Sequence, residues 1–289
     1  MSNETSAVVV VGSLHYDIMV EADHLPRRDE TGVGRRWYPK FGGKGGNQAV
    51  AVAKAGTPVT MAGALGEDDF GRFMRSVLHA AGVDLTHIQT VPGGSGMSVA
   101  IADANGDYAA TIVSGANLLI DEKRLGDLPW ATAKVLVLQS EVTEALNLAA
   151  ARLARLHGAT VILNAAPARA LSPELAALID VLVVNAVEAE MFGTAPVTDL
   201  ASARAAGGAL AARFPAVVVT AGGAGLAWSD GTSNGVVPAM KVRVVSTHGA
   251  GDCFTGTLAA AIAAGRTLGE ACESASEAAA LHVSQTPSA

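Results

Sequence analysis

The chain has 289 residues, half of them hydrophobic and 16% charged, with a formal net charge of −7. This is enough apolar material for one large α/β domain or two small ones, and it excludes a disordered chain. The acidic balance excludes general nucleic-acid binding, which needs a basic face.

Two cysteines, Cys253 and Cys272, form neither a C-x-x-C pair nor a metal-type cluster, and read as cytosolic thiols. The opening MSNETSAVVVVGS has no basic leader and only a short apolar run. No signal peptide or membrane span is expected, and the expected location is cytoplasmic. Asn3-Glu4-Thr5 fits the glycosylation sequon, which without secretion reads as a chance match.

In chain order, 7–13 is a β-branched run ending at glycine, as in a buried strand. Residues 37–43 read as a short strand entering a glycine turn, 47–56 as a helix stopped by Gly56, 59–66 as a strand and 69–82 as a helix closed by Gly82. Residues 96–113 alternate on both sides of Asn105-Gly106, a hairpin signal. Beyond them, strands at 134–140, 159–165, 180–186 and 216–223 alternate with Ala-rich helices at 142–157, 172–179, 187–192 and 199–213. Helices at about 250–264 and 268–283 close the chain. Strands spaced by helices mean βαβ units and a mostly parallel sheet with both faces covered. The hairpin does not fit that layer. It is expected, with parts of about 14–40, to form a small separate sheet over one edge of a single domain spanning 1–289, because no linker, repeat or low-complexity segment divides the chain.

Six stretches carry chemistry. STHGAGDC (246–253) places Gly249, Ala250 and Gly251 at a helix entrance, followed by Asp252. A helix start exposes free N–H groups and about half a positive charge. Small residues let a ligand approach closely, so 249–251 suits a phosphoryl group, and Asp252 is placed to take a proton from an attacking hydroxyl. The positive helix end is expected to keep Asp252 ionised and therefore a weak base. The plainer alternative is an ordinary acidic first turn. FGGKGGNQA (41–49) surrounds Lys44 with four glycines, among them Gly43, and ends in Asn47 and Gln48. It is neither a Walker A loop nor a dinucleotide fingerprint, and Lys44 alone would pass for a surface lysine; Asn47 is suited to sugar hydroxyls. In NAVEAE (185–190), Asn185 and Glu188 share a helical face, either to hold a hydrated Mg²⁺ or simply to cap the helix. Asp17 in GSLHYD and Glu141 after strand 134–140 lie where open α/β sheets bind ligands, and TAGGAG (220–225) is a glycine turn after a strand.

These motifs, with LQSE and NAAPAR (164–169), occur in the order and spacing of the ribokinase-like (PfkB) sugar kinases, and the chain resembles that family, its ribokinase branch above all, over nearly its whole length. The resemblance implies a three-layer sandwich, with a central mostly parallel sheet flanked by helices and a small β-sheet lid. It implies transfer of the γ-phosphoryl of ATP, with Mg²⁺, to a hydroxyl of a small sugar or polyol. Asp252 would be the general base and Gly249, Ala250 and Gly251 the anion hole. Asp17, Gly43, Lys44, Asn47 and Glu141 match sugar-side positions, Asn185 and Glu188 the Mg²⁺ and phosphate motif, with Glu188 acting through water, and Thr220, Gly222 and Gly225 the nucleotide turn.

The sequence departs from the family in three places. The acid that helps hold a monovalent cation beside the anion hole is Ser246 here, and the tail after residue 284 is short, so a K⁺ site is expected to be weakened or absent. Ribokinase members carry Asn-Ala-Asp where this chain has His15-Tyr16-Asp17, which argues against D-ribose as the preferred substrate. The competing readings are a nucleoside kinase on the same fold and a sugar- or nucleotide-binding regulator with impaired catalysis. A nicotinamide-dependent dehydrogenase lacks its glycine fingerprint, since VGSLHYD follows the first strand. The exposed edges of a small sheet suggest a homodimer.

Overall fold

The computed structural model describes residues 6–103 and 107–285. The Asn105-Gly106 turn, the Asn3 sequon and the last residues of the tail lie outside them.

The elements run β1 (Val8–Val11), β2 (His15–Ala22), β3 (Gly34–Gly42), α1 (Lys44–Lys54), β4 (Val59–Leu65), α2 (Asp69–Ala80), β5 (Ile88–Thr90), β6 (Met97–Ala102), β7 (Tyr108–Val113), β8 (Val135–Gln139), α3 (Glu144–Leu156), β9 (Thr160–Asn164) and α4 (Pro173–Ala176). They continue with β10 (Val181–Asn185), α5 (Ala186–Met191), α6 (Leu200–Leu210), β11 (Ala216–Thr220), β12 (Gly225–Ser229), β13 (Asn234–Pro238), α7 (Ala250–Ala263) and α8 (Leu268–Ser284).

Nine strands form one sheet in the order β13-β12-β11-β10-β9-β8-β1-β4-β5. From β11 to β5 neighbours are parallel, whereas β12 and β13 run antiparallel at one edge. Side chains alternate across a strand, and the core divides accordingly. Val9, Val11, Leu136 and Leu138 pack under α3 and α6 with Leu146, Ala150 and Leu210. Val8, Val10, Val135 and Val137 pack on the other face under α1, α2, α7 and α8 with Val52, Leu78, Leu258 and Ala275. The result is the expected three-layer sandwich.

Among the differences from the sequence-based expectation, two shape the site and its sheet edge. The 216–223 strand stops at Thr220, and the chain turns back through β12 and β13. Helix α1 begins at Lys44, so part of the glycine loop is its first turn. A Cβ on Gly45 would lie 2.7 Å from the Ser13 nitrogen, and one on Gly46 2.7 Å from the Leu14 and Phe41 side chains. These glycines let the helix start press against the end of β1.

A second sheet has the order β3-β2-β6-β7, with β2 and β6 parallel and the outer pairs antiparallel. Its outer strands are largely exposed, including Trp37, Tyr108 and Ile112. No helix among the described residues is long and apolar enough to cross a membrane.

Candidate active site

Because β1, β8, β9, β10 and β11 are parallel, their carboxyl ends share one edge of the sheet, where open α/β sheets leave a binding crevice. Residues at or just beyond these ends supply Ser13, Glu141, Asn164, Asn185 and Thr220.

Asp252 lies in the first turn of α7 and is 7% exposed. The side-chain amide of Asn47 donates to its Oδ2 at 3.2 Å, and that of Gln48 to its Oδ1 at 3.0 Å. Burial pushes its carboxyl above the ordinary aspartate range. Lys44 and the two amides pull it back, and Glu141 pushes it further up. The sequence reading weighed only the helix end, which favours the ionised form; burial acts against it and makes Asp252 a stronger base than an exposed aspartate. Gly249 precedes α7 in the left-handed region at φ 75°, and where a Gly251 side chain would begin there is no atom within 4 Å, so that backbone face is open. The Ala250 N–H turns back to the Thr247 carbonyl at 3.3 Å.

The end of β1, the second sheet and α1 meet around Glu141. Its Oε2 accepts from Ser13 Oγ at 2.5 Å and from the Lys44 backbone N–H at 2.9 Å. His15 is buried with Nδ1 3.8 Å from the same oxygen, and its Nε2 has no hydrogen-bond partner among the described residues. Asp17 accepts from Ser98 Oγ at 2.5 Å, and burial raises its carboxyl pKa against the pull of Ser98, His15 and Lys40. A Cβ on Gly42 would stand 2.0 Å from Asp17 Oδ2. Gly43, at φ 85°, passes so close to Leu14 and His15 that only hydrogen fits there.

Asn185 and Glu188 form a reciprocal capping box at the start of α5. Glu188 is buried, and burial raises its carboxyl pKa; the nearby Lys44 lowers it and Asp252 raises it. Its Oε2 accepts from the Asn185 N–H at 2.8 Å, which leaves Oε1 outside the box. Among the described residues no three His, Cys, Asp or Glu side chains gather as a metal cage. Thr220 pairs with Asn185 across β10 and β11, and its hydroxyl donates to the Val184 carbonyl at 3.4 Å. Gly222 is left-handed at φ 54°. Gly225, at φ 116°, is required by β13, since a Cβ would lie 2.2 Å from the Val237 carbonyl oxygen.

Asn47 is thus hydrogen-bonded to Asp252 and Lys44 to Glu141, Glu188 lies near Lys44 and Asp252, His15 sits beside Glu141, and Asn185 pairs with Thr220. Gln48, Ser13, Ser98 and Lys40 join them without having been singled out in the sequence. Gln48 alone carried a signal, as the residue after Asn47.

The pattern of pfkB family carbohydrate kinases matches residues 5–289, and the chain belongs to that family. It is 31% identical over 282 residues to a ribokinase of Haemophilus influenzae, covering 96% of this chain and 92% of that one. It is 32% identical over 257 residues to a deoxyribokinase of Salmonella typhimurium, covering 87% of this chain and 84% of that one. Among solved structures, Arabidopsis thaliana ribokinase complexed with ribose and ATP superimposes with a TM-score of 0.91 at 29% identity, over 98% of this chain and 94% of that one. The protein is an ATP-dependent carbohydrate kinase.

Proposed function

We propose that the protein transfers the γ-phosphoryl group of ATP to a hydroxyl of a small sugar or polyol, with Asp252 as general base. The observation that carries this is the buried Asp252 carboxylate, held by two amides in the same helical turn as the glycine-rich backbone. The hydroxyl proton passes to Asp252 as its oxygen bonds the γ-phosphorus. The bond from that phosphorus to the β–γ bridging oxygen breaks, and ADP leaves with the electron pair. Gly249, Ala250 and Gly251 stabilise charge on the transferring group. Asp17, His15, Gly43, Lys44, Asn47 and Glu141 hold the sugar, and the second sheet, which supplies His15 and Asp17, is the lid of a single domain. Asn185, Thr220, Gly222 and Gly225 lie on the nucleotide side.

Mg²⁺ bound with the nucleotide would neutralise phosphate charge. Glu188 would hold it through water, since it keeps one carboxylate oxygen outside its capping box. Ser246 brings a neutral hydroxyl, which accepts from the His248 N–H at 3.3 Å, so K⁺ activation is weak or absent. The exposed apolar side chains of β3 and β7 suit a homodimer paired through the second sheets; sedimentation at a single-chain mass would exclude it. Two free thiols suit a cytoplasmic enzyme. An impaired regulator is disfavoured by the intact support of Asp252. The names of the relatives, ribokinase and deoxyribokinase, favour a free sugar over a nucleoside.

The test is ADP release from Mg-ATP over pentoses, hexoses, polyols and nucleosides, with and without K⁺. Sugar-dependent turnover indifferent to K⁺ is expected. Turnover on nucleosides alone would reverse the substrate assignment, and ATP binding without turnover on any acceptor would favour a regulator.

A further inference from the structure

Residues 245–248, which lead into the anion-binding turn, belong to no helix or strand. Their position is set from outside, by the last turn of α8. The N–H groups of Val245 and Ser246 both reach the Val283 carbonyl, at 2.7 and 3.2 Å. One residue earlier on α8, His282 Nε2 lies 2.9 Å from the carbonyl oxygen of His248. A carbonyl only accepts, so Nε2 carries the hydrogen in this contact. The other polar group of the same residue, the His248 N–H, donates to Ser246 Oγ. Both backbone groups of His248 are therefore held by side chains, directly before Gly249. The His282 ring also packs against Gly249, with Nε2 3.3 Å from where a Cβ would stand.

We propose that His282 is a positioning residue for the anion-binding turn. Its Nε2–H fixes the His248 peptide, and through it the direction in which the backbone of Gly249–Gly251 faces the transferring phosphoryl group. This role rests on the kinase reading above, and it makes the end of α8 part of the catalytic apparatus although His282 itself touches no reacting atom. The bond is directional, and a glutamine amide can replace it, since it too offers an N–H on a side chain of similar length.

The test compares His282→Ala with His282→Gln in the full-length protein by steady-state kinetics and by hydrogen exchange of the backbone at 246–253. Removing a donor that contacts the reacting group directly costs about a hundredfold or more, so a donor one step removed should cost roughly tenfold in kcat. The sugar KM should stay in place. Exchange at 246–253 should quicken in His282→Ala, with both effects largely reversed in His282→Gln. Unchanged exchange in His282→Ala would overturn the proposal even if no sugar is turned over, so its failure is separable from failure of the kinase reading. Quickened exchange with wild-type kcat, or equal damage in both variants, would reduce His282 to a structural contact and overturn it as well.

Discussion

Gln48 donates to Asp252 across a separation of 204 residues, and both side chains are buried. The amide that holds the Asp252 Oδ1 is itself fixed, because Gln139 Nε2 donates to its Oε1 at 2.8 Å. The same Gln48 nitrogen also reaches Asn164 Oδ1 at 3.1 Å. This network aims the carboxylate. Gln48→Leu should therefore lower kcat on the order of tenfold or more with little change in either KM, since it misorients the base without touching a substrate. Gln48→Glu is the sharper test. A second carboxylate beside Asp252 raises its pKa further, so the acidic limb of the pH–kcat profile should move to higher pH. A Gln48→Glu profile that superimposes on the wild type would remove Gln48 from the support of Asp252.

Asp252 also ties activity to pH with a definite sign. Its pKa is raised in the folded chain, chiefly by burial. A general base works ionised, so turnover should fall as pH drops through that raised value, above the pH at which an exposed aspartate titrates. Stability runs the other way: the carboxyl contributes most below its unfolded pKa, and that contribution is lost as pH rises through the folded one. Asp252→Asn should cut turnover by roughly 10²–10⁴-fold. Its melting temperature at neutral pH should not fall, because a buried charge has been removed. Near wild-type turnover would take Asp252 out of the mechanism.

The sheet was legible because its central strands are written as apolar runs, such as Val8–Val11 and Val135–Gln139, that only a doubly covered parallel layer explains. β12 and β13 were not, because GLAWS and NGVVP carry no unbroken β-branched run and follow a glycine turn that could end a strand as well as reverse it. In the site, the residues on glycine-rich or acid-bearing turns were readable, and their partners were not. Gln48, Gln139 and Asn164 are polar groups with no periodic pattern, and they meet only because distant strand ends share one edge of the sheet. Asn185 and Glu188 show why two readings can coexist: the capping box uses one Glu188 oxygen and leaves the other outside it, on a carboxylate near Lys44 and Asp252. The direction of the Asp252 pKa shift was not legible, because a helix end is visible in sequence, whereas burial is a property of the assembled fold.

Gly43 allows a controlled test of how the glycine motif seats α1. Its left-handed φ of 85° matches the 77° of Gly56, but a Cβ at Gly43 would meet the Leu14 and His15 backbone at 2.7 Å, whereas one at Gly56 would meet nothing within 4 Å. Gly56→Ala should cost only the backbone term, about 1–2 kcal/mol. Gly43→Ala should cost more in urea unfolding and should also depress turnover, because it displaces the helix that carries Lys44, Asn47 and Gln48. Equal unfolding costs in the two variants would mean that the close approach at Gly43 is easily relaxed and that the motif does not depend on it.

His15 bears on which sugar is accepted. Its ring is 4% exposed, and Nε2 is buried without a partner among the described residues. An unpartnered buried polar atom costs about 1–3 kcal/mol, which a substrate hydroxyl reaching it would return. His15→Asn withdraws that atom and opens space beside Asp17 and Glu141. Converted to rate, the loss on the preferred substrate should be on the order of tenfold or more in kcat/KM. D-ribose should lose less or gain, because the Asn-x-Asp pattern of ribokinase-like chains is restored. The measurement is the ratio of kcat/KM for D-ribose to that for the best substrate of the panel, in both proteins. A ratio that does not move would show that Nε2 faces away from the sugar and that specificity is set elsewhere in the pocket.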